Sequence, residues 1–162
     1  MALALAAAIL LFSATLAYRP ITDINLAKRL LVAAISTTSP AVILFFCIAR
    51  LARHRYFTAE DIDGSGLTDG SRKARELQAI LQNSLEQLAL AVPVYLAFGL
   101  LAPGFAVSMI PMAAIMFFVG RVLFMIGYSR GAPSRAFGFA LTFYPTVILL
   151  ILTLFRAALA FS

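Results

Sequence analysis

The chain has 162 residues, 62% of them hydrophobic and only 12% charged, with a mean hydropathy of +0.96. A soluble domain of this size is about half apolar and about a quarter charged, so the composition excludes an ordinary soluble fold and points to a polytopic membrane protein. The net charge of +6 raises nucleic acid as a partner, but no nucleic-acid motif accompanies it and the basic residues cluster beside apolar runs, as they do on the cytoplasmic side of membrane proteins.

In chain order, the first apolar run is MALALAAAILLFSATLAY, residues 1–18. No basic segment precedes it, which argues against a cleaved signal peptide and for an extra N-terminal membrane helix over residues 2–18. Residues 1–29 then form an apolar helix and connector ahead of a four-helix membrane domain over 30–162. A span needs about 20 mostly apolar residues, and four more runs meet that need: 30–49, 78–101, 106–127 and 137–160. Each contains a proline (Pro40, Pro93, Pro111 and Pro145), which membrane helices tolerate because neighbouring groups re-satisfy the freed backbone. The expected fold is all-α: a four-helix transmembrane bundle plus the N-terminal helix.

The largest polar segment, 50–77, carries Arg50, Arg53, Arg55, Arg72, Lys73 and Arg75, and the short loop 128–136 carries Arg130 and Arg135. The segment APGFA between them is uncharged, so loops 50–77 and 128–136 are expected in the cytoplasm. If the first helix spans, Arg19, Lys28 and Arg29 fall on the other side, against the same rule. His54 reads as an interfacial surface residue. DIDGSGLTDG, from Asp61, imitates the first positions of a calcium loop with Asp61, Asp63, Ser65 and Gly66, but Arg72 stands where a bidentate Glu is required. It reads as a flexible turn, and no metal is expected. The lone cysteine, Cys47, permits no intrachain disulfide and reads as a small buried hydrophobe. Met109, Met112, Met116 and Met125 read as packing filler. Trp is absent, leaving Tyr and Phe for any aromatic belt.

The third run opens QAILQNSLEQLALAVP, in which Gln78, Gln82, Asn83, Glu86 and Gln87 interrupt apolar sequence. On a helix Arg75, Gln82 and Glu86 share a face, with Gln78 beside it. A charge at membrane depth costs about 2.5–3.5 kcal/mol and turns inward to a partner. Arg121, deep in AIMFFVGRVLFMIGY, is the expected partner for Glu86. Tyr128 lies seven residues on, on the same face as Arg121, and Arg130 and Arg135 follow, with Ser134 as an expected N-cap. Several cations and a phenol near one membrane face suit a small anionic ligand. A purely structural Glu86–Arg121 lock and ordinary positive-inside anchors fit the same residues.

Together these segments resemble the membrane-associated proteins in eicosanoid and glutathione metabolism, the MAPEG family. ARLARHRYFTAED (Arg50 to Asp61) resembles the basic end of its first core helix. NSLEQLALAVP, with Asn83, Glu86 and Pro93, is similar to its second; GRVLFMIGY, with Arg121 and Tyr128, to its third; YSRGAPSRAF, with Arg130 and Arg135, to the entry of its fourth. The resemblance implies a homotrimer of four-helix bundles that binds glutathione near the cytoplasmic face and conjugates it to lipophilic electrophiles or uses it to reduce lipid hydroperoxides. It implies that Asn83 and Glu86 hold polar parts of glutathione, that Arg50 and Arg75 sit near its carboxylates, that Tyr128 lines the site and that Arg135 stabilises the thiolate. The implied partners are membrane lipid, glutathione or another small thiol, and a hydrophobic substrate.

Three positions depart from the pattern. An arginine four residues before the Asn is Ala79, a tyrosine after the Glu is Gln87, and a tyrosine three residues after the third-helix arginine is Phe124. These losses give a second expectation, a non-catalytic lipid-binding or scaffold protein of the same fold. A channel or secondary transporter is disfavoured, since no inverted repeat or paired broken helices appear.

Overall fold

The computed structural model describes residues 1–18, 24–64 and 70–160, and every regular element among them is helical. In chain order these are α1 (Ala2–Tyr18), α2 (Leu26–Ser36), α3 (Thr38–Phe57), α4 (Arg72–Leu101), α5 (Met109–Gly127) and α6 (Ala132–Ala160), with single 3₁₀ turns at Ala59–Asp61, Gly104–Ala106 and Tyr128–Arg130. Arg19, Ser65 and Gly66 lie outside the described residues. Four stretches are long and apolar enough to cross a membrane: Leu26–Phe57, Arg72–Leu101, Gly104–Arg130 and Ala132–Ala160. The chain is an integral membrane protein with an all-α bundle. The N-terminal run forms the expected helix, and its 17 residues reach about 25 Å, somewhat short of a hydrocarbon core of about 30 Å.

The first long span is two helices. Asn25 caps α2 by accepting from the Lys28 N–H at 2.9 Å. Thr37 is a turn between the two helices: its N–H still donates to the Ala33 carbonyl at 3.2 Å and its carbonyl accepts from the Ala41 N–H at 3.3 Å. Pro40, however, has no N–H for the Ser36 carbonyl, and the Ser36, Thr37 and Thr38 hydroxyls donate back to the carbonyls of Val32, Ala34 and Ile35. Pro40 then sits in the first turn of α3 and Pro111 in the first turn of α5, where a missing N–H costs least. Only Pro93 and Pro145 lie in helix interiors. The expected loop 50–77 also shrinks. Helix α3 runs on to Phe57 and α4 starts at Arg72, because hydropathy marks the lipid boundary and not the helix end. Arg and Lys on an emerging helix simply extend into water.

Helices α5 and α6 approach most closely. A Cβ on Gly120 would lie 2.5 Å from Thr142 Oγ1 and 2.8 Å from the Gly138 carbonyl, and one on Gly138 would lie 2.6 Å from the Gly120 carbonyl. Small residues that let backbones meet are the usual means of packing membrane helices. Ala4, Ala8 and Phe12, spaced by four, are the buried face of α1 and join the core against α5 and α6. Tyr95, Phe98, Ile110, Phe117 and Leu149 are fully buried between α4, α5 and α6. Phe45, Phe46, Ile115, Ile126, Ile151 and Phe155 face outward, as lipid contact requires.

The two ends of the bundle differ. One gathers the end of α3, the start of α4 and the turn from α5 to α6, with most of the cations. At the other, the Arg29 guanidinium donates to the Gly99 carbonyl at 3.0 Å, to that of Leu100 at 2.7 Å and to that of Ala102. Arg156 adds a donation to the Leu101 carbonyl at 3.5 Å. These carbonyls are the orphan acceptors at the negative end of α4. Arg29, at odds with charge-sidedness in the sequence, is thus held as a helix cap.

Candidate functional site

The polar face of α4 meets α5 near the many-cation end. Arg121 on α5 is completely buried. Its Nη1 donates to Asn83 Oδ1 at 2.8 Å and its Nη2 to Ser84 Oγ at 2.8 Å. Ser84 passes its own proton to the Ile80 carbonyl at 2.7 Å, and the Cys47 thiol leans on Ser84 Oγ at 3.5 Å. The expected Glu86–Arg121 pair does not form. Ser84 and Glu86 stand about 200° apart around α4, so the turn that points Ser84 at Arg121 points Glu86 outward. Glu86 is exposed and accepts from Gln82 Nε2 at 3.1 Å and from Asn83 Nδ2 at 3.5 Å. Asn83 thereby links the two charges, with its oxygen on the cation and its nitrogen on the carboxylate.

From Arg121 a ladder of cations and rings climbs toward the end of the bundle. The Arg121 guanidinium lies 4.0 Å from the Phe124 ring centre. Phe124 meets Tyr128 edge to face at 5.3 Å, and the Arg135 guanidinium lies 4.4 Å from the Tyr128 ring centre. Such contacts contribute about 0.5–2 kcal/mol each. The ladder depends on the turn between α5 and α6. Gly131 takes φ 96°, in the left-handed region that favours glycine. Ser134, the expected N-cap, lies inside α6, which starts at Ala132; its hydroxyl donates to the Gly127 carbonyl at 2.7 Å and to that of Gly131 at 3.0 Å. Pro133 in the first turn allows the earlier start.

A cavity of about 370 Å³ opens on this ladder, lined by Asn83, Phe124, Tyr128, Arg135 and Phe139, with Met1, just before α1, on one wall. Three residues expected from the sequence, Asn83, Tyr128 and Arg135, thus converge, with Arg121 directly behind Asn83. Phe139 and Met1 went unforeseen: nothing in an apolar residue's local pattern tells a cavity wall from core packing. Ser84 was likewise missed, although its place beside Asn83 on an interrupted apolar helix was a usable signal. Apart from its stacking on Tyr128, the Arg135 guanidinium has no hydrogen-bond or ion-pair partner among the described residues.

The remaining expected residues lie elsewhere within the chain. Arg130 is exposed on the turn after α5. Arg75 donates to the Gly70 carbonyl at 2.6 Å. Arg50 touches Met125 Sδ at 3.9 Å and lines a second cavity with Arg53, His54 and Lys73.

Asp61, at the head of the calcium-like segment, clasps His54 and Ser71. Asp61 accepts from the Ser71 hydroxyl at 2.7 Å, from the Ser71 N–H at 2.6 Å and from His54 Nε2 at 2.9 Å. The two Ser71 bonds, then His54, hold the Asp61 carboxyl below its ordinary value of 3.8. Ser71 also caps α4, accepting from the Ala74 N–H at 3.1 Å.

The MAPEG family model matches residues 30–155. No curated protein and no solved structure gives a significant match. The matched region runs from the first long span to the last turns of α6 and includes the whole Arg121–Arg135 ladder, while α1 precedes it. With four membrane-spanning segments in the matched region, the chain belongs to the MAPEG family.

Proposed function

We propose that the protein is a glutathione-dependent membrane transferase or peroxidase whose Arg135 stabilises the thiolate. The observation that carries this reading is the state of Arg135: a guanidinium seated on Tyr128, without a hydrogen-bonding partner among the described residues, in a cavity otherwise lined by Asn83 and apolar side chains. Its free N–H donors suit an anion, since charge-assisted hydrogen bonds from a guanidinium are the strong ones. A thiol with a pKa of about 8.5 is mostly protonated at neutral pH. A guanidinium within about 4–6 Å lowers that pKa by about 1–3 units. The thiol's proton passes to solvent, the sulfur forms a bond to the electrophilic carbon, and the bond from that carbon to its leaving group breaks. With a hydroperoxide, sulfur attacks oxygen, the O–O bond breaks, and a second thiol converts the resulting sulfenate to a disulfide.

In this reading Asn83 holds a polar part of glutathione, Glu86 extends that surface through Asn83, and the apolar walls take the lipophilic substrate. The cation-rich end faces the cytoplasm, and three chains assemble. Calorimetry on the detergent-solubilised protein tests it, together with ultraviolet absorbance of the bound thiolate. Saturable glutathione binding with a thiolate signal is expected. Arg135→Ala is expected to lower the thiolate fraction at neutral pH about 8- to 30-fold while Arg135→Lys retains part of it. No binding at millimolar glutathione would sink the reading.

A second reading, a non-catalytic lipid-binding member of the family, is favoured by Phe124. This ring lines the cavity and takes the Arg121 cation on its face, where a tyrosine would bring a hydroxyl to a ligand. Binding of a lipid with no glutathione signal would select it.

A further inference from the structure

We propose that the second cavity, between the end of α3 and the start of α4, binds the phosphodiester headgroup of an anionic membrane phospholipid. The cavity is about 370 Å³ and is lined by Arg50, Arg53, His54 and Lys73 over an apolar floor of Phe57 and Leu77. Among the described residues no carboxylate lines it. Two of the lining cations already have acids, His54 with Asp61 at 2.9 Å and Lys73 with Glu76 at 3.1 Å, which leaves Arg50 and Arg53 as the cations open to an anion. Arg53 is exposed and has no hydrogen bond or ion pair among the described residues, and the polar contact of Arg50 is a methionine sulfur at 3.9 Å. Two exposed guanidiniums with weak or no partners have donors open to an anion, and planar forks match phosphate oxygens.

The arrangement along α3 selects a lipid over a free anion. Phe46, Arg50, Arg53 and Phe57 recur at spacings of four, three and four, so they form one stripe along the helix. Phe46 is half exposed on the membrane part of that stripe, the cations follow where the span ends, and Tyr56 and Phe57, each 75% exposed, mark the level at which aromatic side chains meet headgroups. A headgroup on Arg50 and Arg53 would therefore send its acyl chains along Phe46. Basic pockets between membrane helices at one face of a bilayer are suited to anionic headgroups. The inference does not depend on the thiol chemistry of the first cavity.

The test uses the full-length protein in neutral detergent, with phosphatidylglycerol and phosphatidylcholine of the same chain length added and retained lipid read by native mass spectrometry. Phosphatidylglycerol is expected to be retained over phosphatidylcholine. Arg53→Gln is expected to weaken retention roughly fivefold and Lys73→Gln less, since Glu76 already pairs with Lys73, both with unchanged thermal melting, since both side chains are exposed. Arg130→Gln, an exposed cation at the same end that lines neither cavity, is expected to leave retention unchanged. Equal retention of the two lipids would overturn the proposal, as would an equal loss in Arg130→Gln, which would mean diffuse attraction by net charge. Displacement of the lipid by millimolar inorganic phosphate would assign the cavity to a free anion instead. Displacement by glutathione would assign it to the peptide's carboxylates. Either result overturns the lipid assignment.

Discussion

Arg121 is the largest fully buried side chain among the described residues; its two terminal nitrogens donate to neutral acceptors on α4, while its buried Nε has no partner. Hydrogen bonds to charged groups contribute about 1.5–3 kcal/mol. Asn83→Ala, which removes one of the guanidinium's two acceptors, is expected to destabilise the solubilised protein by about that amount in a denaturation series. Glu86→Gln is expected to change stability far less, and the opposite ranking would restore the Glu86–Arg121 pair. The sequence identified Arg121 as needing an inward partner, because the cost of a charge in lipid is independent of fold. It could not choose among Asn83, Ser84 and Glu86, because about 100° of rotation per residue separates them and the angle at which α4 faces α5 is a packing outcome. Asp61 supplies a pH-dependent contact. Its carboxyl is held below 3.8 when folded, so its contribution is complete above that pH and is lost as pH falls through the lower folded value. Hydrogen exchange at the Ser71 amide is expected to stay protected at neutral pH and to lose protection in acid. In Asp61→Asn, protection is expected to be weakened at every pH.

Helix pairs are held by backbone proximity and by caps at their ends. Gly138→Ala would drive a methyl into the backbone of α5, where the Gly120 carbonyl would stand 2.6 Å away. Neither side of that contact is a flexible side chain, so a cost of about 1–3 kcal/mol or more is expected, measurable as a lower melting temperature. Gly131→Ala, where space is open but φ is positive, is expected to cost less and to act through the turn that carries Arg135. Arg29→Ala strips the α4 carbonyls of their donor and is expected to destabilise by about 1.5–3 kcal/mol; an unchanged unfolding midpoint would reduce Arg29 to a surface charge. The helices themselves were legible, since runs of about 20 apolar residues have few alternatives in lipid. Their ends were not, because α3 and α4 continue past the apolar boundary and the turn at Thr37 depends on the N–H that Pro40 lacks and on a local competition between hydroxyls and backbone.

At the scale of the molecule, the exposed part of α4's polar face is unfinished business. Gln82 and Glu86 are exposed on a helix that spans the membrane, and a carboxylate facing lipid there costs about 2.5–3.5 kcal/mol. Burial against further copies of the chain, as in the proposed homotrimer, would remove that cost. Light scattering is expected to give three chains per particle, and Gln82→Cys is expected to crosslink between chains under mild oxidation, the native Cys47 being buried. A single chain per particle, with no crosslink, would leave Glu86 to lipid or water and exclude the assembly.

Sequence alone determined the all-helical membrane class, the order of the spans and the family resemblance, because hydrophobic length and the spacing of charges in lipid constrain each segment separately. It also singled out Asn83, Tyr128 and Arg135, since chemistry-bearing residues stand out against an apolar background. Tertiary structure alone decided that these three share a cavity, that Arg121 bonds Asn83 and Ser84, that Arg50 lines a different cavity and that Met1 closes one wall of the first. These depend on helix rotation and approach, which follow from how glycines, small residues and ring contacts pack together and not from any one helix's own pattern.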